Sequence, residues 1–568
     1  MPPFVHNPQT VHPGELGDEE ISQGQDKWEP SRRHMAIMAT AALLSLMVAL
    51  DACVIVTSLQ AIVADLELST YDGFWIGTAY LLANAVLMLF IADLSRVFGR
   101  RPCLTISVAF FTLGTTLCCM SRSIALMLAG RSLQGVGGAG IIVLCLLIFT
   151  DIVPLPLRPT WYGLVQAAWA LGNCVGPILG GVIAQNTTWR WVFYIMFPFC
   201  VAGLALVPWL VNVGSRTGKV YENLKKVDWM GNALFIGSAT LSLVAISWGG
   251  LRYSWRSAGT LVPLLLGAVG MVLTVIYESR FAVSPFLQRR LFQTASAIAT
   301  YACGAIQGLV MYGQLYYVPL YFMEVKGFTP VQTGVALFPV MFTLVPASIL
   351  TGRLVTVFDN YQWPIWAGWT LATIASGLMM LWDVETPTKV WAPTLVLLGL
   401  GHGCILNAQN MASQTLCDKD DEAIAAAMYA FFRQFGMALG VGVGGSTFQN
   451  VMLLKFEADG LAPAGTHGGT YAVHAMLSTT GDAALRSQIV DAYVYGLRGV
   501  YGLYVGVSGL ALLMSFLIKR VSLDRSLRSG HTKHIQAKGR KCSRLWELSV
   551  SRGWGLCESS PRTLCLPC

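Results

Sequence analysis

Long apolar segments separated by short polar ones are the dominant pattern of this chain. Between residues 35 and 520, apolar runs recur that match the roughly 20 residues which an α-helix needs to cross the hydrocarbon core of a bilayer. The predicted fold class is therefore an all-α integral membrane protein. We predict about fourteen transmembrane helices, near residues 35–59, 73–94, 103–120, 124–149, 160–184, 191–212, 229–248, 258–278, 294–322, 331–350, 363–382, 391–415, 423–449 and 499–518.

Basic residues predict the orientation of these helices. Lys and Arg collect in alternate loops, on the same side as the N-terminus. Because basic residues favour the cytoplasmic side, both termini are expected in the cytoplasm. The polar stretches are then an N-terminal tail 1–34, a basic linker 213–228, a long outer loop 450–498 and a cytoplasmic tail 521–568.

Composition narrows the class of protein further. Charged residues make up 12% of the chain, against roughly 25% in a soluble domain. The sequence has no basic stripe interleaved with aromatics, which argues against a nucleic-acid partner. It also has no G-x-x-x-x-G-K-[ST] loop, nucleophile constellation or familiar metal-ligand spacing. Neither an enzyme nor an ATP-driven pump is predicted, and no cofactor or metal.

Two charged residues lie inside predicted helices. Arg131 stands in GRSLQGVGGAG of the fourth helix, and Asp51 in ALDACVIV of the first. An ionisable residue inside a membrane is costly and by default marks a functional site. Arg131 is then either a functional charge or a structural arginine held by backbone carbonyls. Because hydrocarbon disfavours the charged form of a carboxylate, Asp51 is either a proton site or a hydrogen-bonded structural residue.

Two further motifs combine glycine with proline or arginine. The fifth helix contains GNCVGPILGGVI, whose small residues let a neighbouring helix approach closely and whose proline removes a backbone donor. The motif residues are Gly172, Gly176, Pro177, Gly180 and Gly181. The turn between the second and third helices, LSRVFGRRPCL, presents Gly99, Arg100 and Arg101 on the predicted cytoplasmic side, where arginines can latch and release helix ends.

Together these motifs resemble the signatures of the major facilitator superfamily, in the right order and spacing over about residues 35–520. The helix count, Asp51 and the segments YYVPLYFMEVKGFTPVQTGV (316–335) and FFRQFGMALGVGVG (431–444) are similar to its fourteen-helix drug:proton antiporters, especially fungal toxin and multidrug pumps. The resemblance implies two six-helix bundles, 35–212 and 294–520, with two helices inserted within 213–293. It also implies export, because the motif in the fifth helix marks exporters in that superfamily.

The chain departs from the family pattern at several positions. Arg96 stands where the family's gating motif has an aspartate, and Asp93, one turn earlier, is a possible substitute. His402 occupies a position expected to be apolar, so it is either a hydrogen-bonded core histidine or a second proton site. Arg433 lies where the family carries an arginine. The predicted proton-coupling set is therefore Asp51, Arg131 and Arg433, with His402 as the further candidate.

Aromatic and amide side chains supply candidates for the substrate cavity, although such residues at helical spacing also serve packing. These candidates are Gln166, Trp169, Gln307, Tyr316 and Tyr317. Asn186 begins an N-glycosylation sequon in a very short outer loop, and we expect it to be unused.

The sequence therefore predicts a proton-coupled exporter of small, mostly apolar organic molecules, acting as a monomer in the plasma membrane. Its expected partners are the substrate, protons and the lipid bilayer. A siderophore or amino-acid carrier of the same fold in a vacuolar membrane is the alternative. A third interpretation is a membrane sensor that transports nothing. The lack of a soluble signalling domain argues against this interpretation.

Overall fold

The structure, a computed structural model, describes residues 30–68, 70–211, 227–250, 253–282, 285–459 and 483–523. These residues form helices and connecting turns. Most of the predicted N-terminal tail and of the linker 213–228 lies outside the described residues. The same holds for the middle of the outer loop 450–498 and for nearly all of the tail 521–568.

Fourteen helices in the described residues follow the fourteen predicted spans in order. Thirteen of them are long and apolar enough to cross a membrane. The other one, α11, has 18 residues and coincides with the predicted span 363–382. The helices are α1 (Arg32–Asp65), α2 (Thr70–Phe98), α3 (Arg100–Cys119), α4 (Ile124–Ile152), α5 (Arg158–Asn186), α6 (Trp191–Leu210), α7 (Trp229–Trp248), α8 (Ala258–Arg280), α9 (Ala295–Val325), α10 (Pro330–Phe358), α11 (Gln362–Met379), α12 (Thr388–Thr415), α13 (Glu422–Ala458) and α14 (Ala483–Ser515).

The outer loop is shorter than the sequence suggested. Helix α13 continues to Ala458, and α14 begins at Ala483 instead of near residue 499. The segment before residue 499 has low average hydrophobicity, but its apolar residues recur every four positions. Ile489, Tyr493 and Leu497 are all buried, and the Tyr493 ring packs edge-on against Phe448 of α13, with centroids 5.6 Å apart. This one-sided pattern is that of an amphipathic helix, which a span search misses.

The helices pack as two groups of six. Helices α1–α6 contact mainly one another, and so do α9–α14, while α5 against α10 and α2 against α13 join the groups. Helices α7 and α8 pair with each other at the side, where Gly267 and Gly270 of α8 lie against Ser238 of α7. The opposite face of α8 exposes a row of large apolar residues suited to lipid: Leu261, Val262, Leu265, Leu266, Val269, Val272 and Leu273.

We call the membrane face that carries the α2–α3 turn the inner side, since its basic residues predict that it faces the cytoplasm. Gly99 forms this turn with φ of 94°, a backbone conformation that other residues rarely adopt. The turn is therefore tight, and α3 starts directly at Arg100. We call the opposite face the outer side.

A seam of close backbone contact joins α1 to α5. A Cβ added at Gly172 would lie 2.7 Å from both the Ala49 Cβ and the Leu46 carbonyl oxygen of α1. Gly176 and Gly180 face α1 one and two turns further along. Thr57 of α1 also donates a hydrogen bond of 2.7 Å to the carbonyl of Pro177. The two helices are therefore in close backbone contact along this seam.

The last glycine of the motif has a different neighbour. A Cβ at Gly181 would meet Pro330 at the start of α10, at 2.8 Å from its carbonyl carbon. The same motif thus packs α5 against α1 with one set of glycines and against the other group of helices with Gly181.

We expect Gly172→Ala to lower the free energy of unfolding by about 1–3 kcal/mol, the usual cost of overpacking. The added methyl group would collide with the α1 backbone. The matched control is Gly237→Ala in α7, where nothing lies within 4 Å of the new methyl. This control should be neutral or slightly stabilising, because alanine favours helix by up to about 1 kcal/mol. The measurement is the midpoint of thermal unfolding in detergent, and equal midpoints for the two variants would contradict the close seam.

Candidate coupling and substrate site

Asp51 of α1 and Arg131 of α4 form a buried ion pair. The Arg131 Nη1 lies 2.7 Å from the Asp51 Oδ2, and the two side chains are 1% and 0% exposed. Arg131 is seven residues from the outer end of α4, or about 10 Å at 1.5 Å per residue. The pair therefore sits in the outer half of the membrane and links two helices whose residues are 80 positions apart.

Polar groups surround this pair almost completely. Gln134 accepts from the Arg131 Nη1 at 2.8 Å and donates to the Asp51 Oδ1 at 3.1 Å and to Thr115 at 2.9 Å. The Arg131 Nε donates to the carbonyl of Ile76, and its guanidinium lies 4.5 Å from the centre of the Tyr80 ring. Removing one partner of such a buried pair typically costs about 3–5 kcal/mol, because the other charge stays behind.

Arg433 of α13 lies in a different environment, in a cavity between the two groups of helices. Its guanidinium stands 5.1 Å from the centre of the Trp169 ring of α5. The cavity is narrow in this conformation, with a volume of about 20 Å³. Its lining comprises Ser45, Ile142, Cys145, Leu146, Tyr162, Val165, Gln166, Trp169, Tyr429, Ala430 and Arg433. The structure thus brings together three of the residues predicted from the sequence, Gln166, Trp169 and Arg433.

The other predicted cavity residues lie elsewhere. Tyr317 is buried and donates a hydrogen bond to the Val441 carbonyl at 2.9 Å, so it packs α9 against α13. Tyr316 contacts the Tyr317 ring, and Gln307 is buried with its amide 3.2 Å from the Met311 sulfur. None of these three lines the Arg433 cavity. Asn186 is exposed at the end of α5, where its side chain caps the Val182 carbonyl.

His402 lies in the core of the second group of helices. It is 1% exposed, and its Nε2 lies 3.1 Å from the Gln314 Oε1 of α9. Gln314 in turn donates to Ser376 of α11 at 2.8 Å. His402 and Gln314 border a second, largely apolar cavity of about 30 Å³. His402 does not contact the Asp51–Arg131 pair, so the structure separates residues that the sequence placed in one set.

The α2–α3 turn forms two ion pairs. Asp93 pairs with Arg96 of its own helix at 2.5 Å. Arg100 pairs with Asp151 at the inner end of α4 at 3.1 Å and donates to Ser95. Asp93 therefore neutralises the unusual Arg96, while Arg100 ties the turn to α4. Arg101, next to it, is exposed.

Sequence reasoning missed the ion pair that joins the two groups of helices on the inner side. Arg158, at the start of α5, donates at 2.8 Å to both Glu422 and Gln414, which belong to α13 and α12. The same guanidinium also donates to the Val153 and Thr150 carbonyls. Arg158 is one of the basic loop residues on which the predicted orientation rests, and Glu422 ends an acidic loop, DKDDE (418–422), on the same side. This acidic loop, on a side otherwise rich in basic residues, was the feature of the sequence that could have indicated a basic partner.

Comparison with known proteins supports the same architecture. The family model of the Major Facilitator Superfamily matches residues 41–441. MFS transporter L2 of Phoma sp. is 35% identical over 510 residues, which cover 89% of this chain and 85% of that protein. Efflux pump FUS6 of Gibberella moniliformis is 31% identical, covering 88% of this chain and 90% of the pump. The MFS efflux transporter aclA of Aspergillus oryzae is 31% identical, covering 91% and 95%.

Solved structures agree on the fold. The bacterial homolog of the human lysosomal transporter Spinster, in an inward-facing and occupied conformation, aligns with a TM-score of 0.55 at 19% identity over 87% of this chain and 98% of that chain. The human organic anion transporter MFSD10 (TETRAN) aligns with a TM-score of 0.56 at 14% identity over 87% and 100%. The helices, the matching family model and the similarity to fungal efflux pumps over most of both chains lead to one conclusion: this protein is a transporter of the Major Facilitator Superfamily and not an enzyme.

Proposed function

We propose that the protein is a proton-coupled exporter of small, mostly apolar organic molecules, such as a toxin or secondary metabolite, and that it works by alternating access. The observation that carries the proposal is the fully buried Asp51–Arg131 pair. Arg131 is the counter-charge of this carboxylate, so uptake of a proton by Asp51 would leave Arg131 without a negative partner. The similarity to fungal efflux pumps supports the outward direction.

The coupling step follows from the contacts of this pair. When Asp51 takes up a proton, its attraction to Arg131 is lost, while Arg131 keeps its hydrogen bonds to Gln134 and Ile76. Helix α1 thereby loses its ionic contact with α4 and keeps only the weaker hydrogen bond from Gln134. Because the glycine seam holds α1 and α5 in close backbone contact, a shift of α1 would move α5, which lies against α10 of the other group. Proton uptake would thus reach the interface where the substrate cavity lies.

The inner ion pair of Arg158 with Glu422 and Gln414 is the proposed latch of this cycle. Two hydrogen bonds from the Arg158 guanidinium cross the interface on the inner side, and two more anchor the same guanidinium to carbonyls of its own group of helices. Opening toward the inner side must break its contacts with α12 and α13. The Arg100–Asp151 pair, which stays within one group, would hold the α2–α3 turn in place during that motion.

Expression in cells should lower the accumulation of a panel of fluorescent lipophilic compounds, and a protonophore should restore it. We expect Asp51→Asn to reduce the export rate at least tenfold at equal surface expression, because the amide cannot exchange a proton. The matched control is Asp65→Asn, a half-exposed aspartate at the outer end of the same helix, which should export normally. Raised uptake on expression, or export that ignores the protonophore, would favour a siderophore or amino-acid carrier.

Fractionation of the cells tests whether the protein resides in the plasma membrane, as we propose, or in the vacuolar membrane.

Loss of the latch should open the inner side more often. We expect Arg158→Gln and Glu422→Gln each to raise the labelling rate of Cys145, which lines the cavity, by about tenfold, equivalent to about 1.4 kcal/mol. The measurement uses a membrane-impermeant thiol reagent on inside-out vesicles, with the labelled peptide identified by mass spectrometry. The control is Lys455→Gln, which breaks an exposed pair with Asp459 of the kind that contributes little. Unchanged labelling in both latch variants would reject this role.

A further inference from the structure

The buried charges of the described membrane region leave one arginine without a counter-charge. Asp51 neutralises Arg131, and Glu422 neutralises Arg158. Among the described side chains, no carboxylate pairs with Arg433, although Arg433 is only 5% exposed. Its Nε has no hydrogen-bond partner in these residues.

The depth of Arg433 makes this missing partner significant. Arg433 is eleven residues beyond Glu422, which lies at the inner side, or about 16 Å at 1.5 Å per residue. That places it near the middle of a hydrocarbon core about 30 Å thick. A guanidinium is always charged in proteins, and at this depth it requires an anion or a strong acceptor. The Trp169 ring supplies a partial counter-charge through its π face but accepts no hydrogen bond from the Nε.

A second polar group of the cavity is also unpartnered. The Gln166 Nε2, on α5 one turn before Trp169, is buried and has no acceptor among the described residues. Gln166 is 5% exposed and lines the same cavity as Arg433. Two buried donors without acceptors therefore border one space between the two groups of helices. An anionic group of a ligand, with acceptor oxygens for both donors, would satisfy them.

The rest of the lining suits an apolar body. Ile142, Leu146, Val165 and Ala430 supply aliphatic surface, and Tyr162 and Tyr429 supply aromatic surface. The combination of one cation, one amide donor and an apolar wall is typical of a site that orients a small organic molecule by a single polar group.

We propose that Arg433 and Gln166 bind an acidic group of the substrate, and that the exported compounds are therefore small organic acids, with a carboxylate, enolate or phenolate attached to an apolar body. This proposal rests on the proposed export function and names its substrate class. Asp51 does not compete for Arg433, because Arg131 and Gln134 already occupy both its oxygens. Proton coupling and substrate binding are thus assigned to different arginines, one in each group of helices.

The test is binding to the purified full-length protein in detergent, with 1-pyrenebutyrate and its methyl ester as a matched pair of probes. We expect the wild type to bind the acid at least tenfold more tightly than the ester. Arg433→Gln should remove this preference and leave the affinity for the ester within about twofold. Arg433→Lys should retain part of the preference, because it keeps the charge but not the geometry of the guanidinium. Gln166→Leu should weaken binding of the acid more than binding of the ester.

The matched control is Arg190→Gln. Arg190 also stands over a tryptophan, with its guanidinium 4.3 Å from the Trp189 ring, but it lies half-exposed at the outer side. This variant should keep the full preference for the acid. A thermal unfolding midpoint measured for every variant separates lost binding from lost folding.

Several results would overturn the proposal. These are equal affinity of the wild type for acid and ester, binding of neither probe, and an Arg433→Gln variant that loses both probes equally while its unfolding midpoint falls. In each case the protonophore-sensitive export assay reports independently on the proposed function. Failure of that function would instead show as acid-selective binding without protonophore-sensitive export of any compound.

Discussion

Hydrocarbon offers a charged side chain no hydrogen-bonding partner, so each ionic group of this transporter must find its partner within the protein or in a ligand. The positions of the buried charges follow from this constraint. A charged Asp51 at this depth needs a counter-charge, which Arg131 of α4 supplies at 2.7 Å. The Arg158–Glu422 pair lies at the inner side, where two groups of helices meet and water is close. For the Arg433 guanidinium, the Trp169 ring supplies only a partial counter-charge. We therefore infer that a ligand supplies the remaining negative charge in the cavity.

Close backbone packing connects these local pairs in the mechanism that we propose. Glycines at 172, 176 and 180 let α5 approach the backbone of α1 closely. The next glycine places α5 against α10 of the other group. One helix therefore touches both the helix that carries Asp51 and a helix of the other group. The inserted helices α7 and α8 stay at the periphery, where α8 presents an apolar face to lipid. They add membrane contact without lining the Arg433 cavity.

The helices themselves were largely predictable, because the signal is local. A run of apolar residues of sufficient length can only be satisfied by a helix in the bilayer. The same reasoning failed at residues 483–498, where a helix buries Ile489, Tyr493 and Leu497 on one face and exposes polar residues on the other. The sequence also left open which of the five candidate residues belong to one cavity: Gln166, Trp169, Gln307, Tyr316 and Tyr317. Gln166 and Trp169 line it, whereas Tyr317 is a packing residue that bonds the α13 backbone.

The sequence by itself determined the class of protein, the number and order of the helices and the residue types at each motif, since all of these depend on neighbours along the chain. Only the tertiary structure decided which charges meet. Asp51 and Arg131 are 80 residues apart, and Arg158 and Glu422 are 264 apart. No periodicity encodes such distances, because a contact between helices depends on how several of them rotate and tilt against one another. For the same reason the sequence grouped His402 and Arg433 with Asp51, whereas the folded protein holds each of them in separate surroundings.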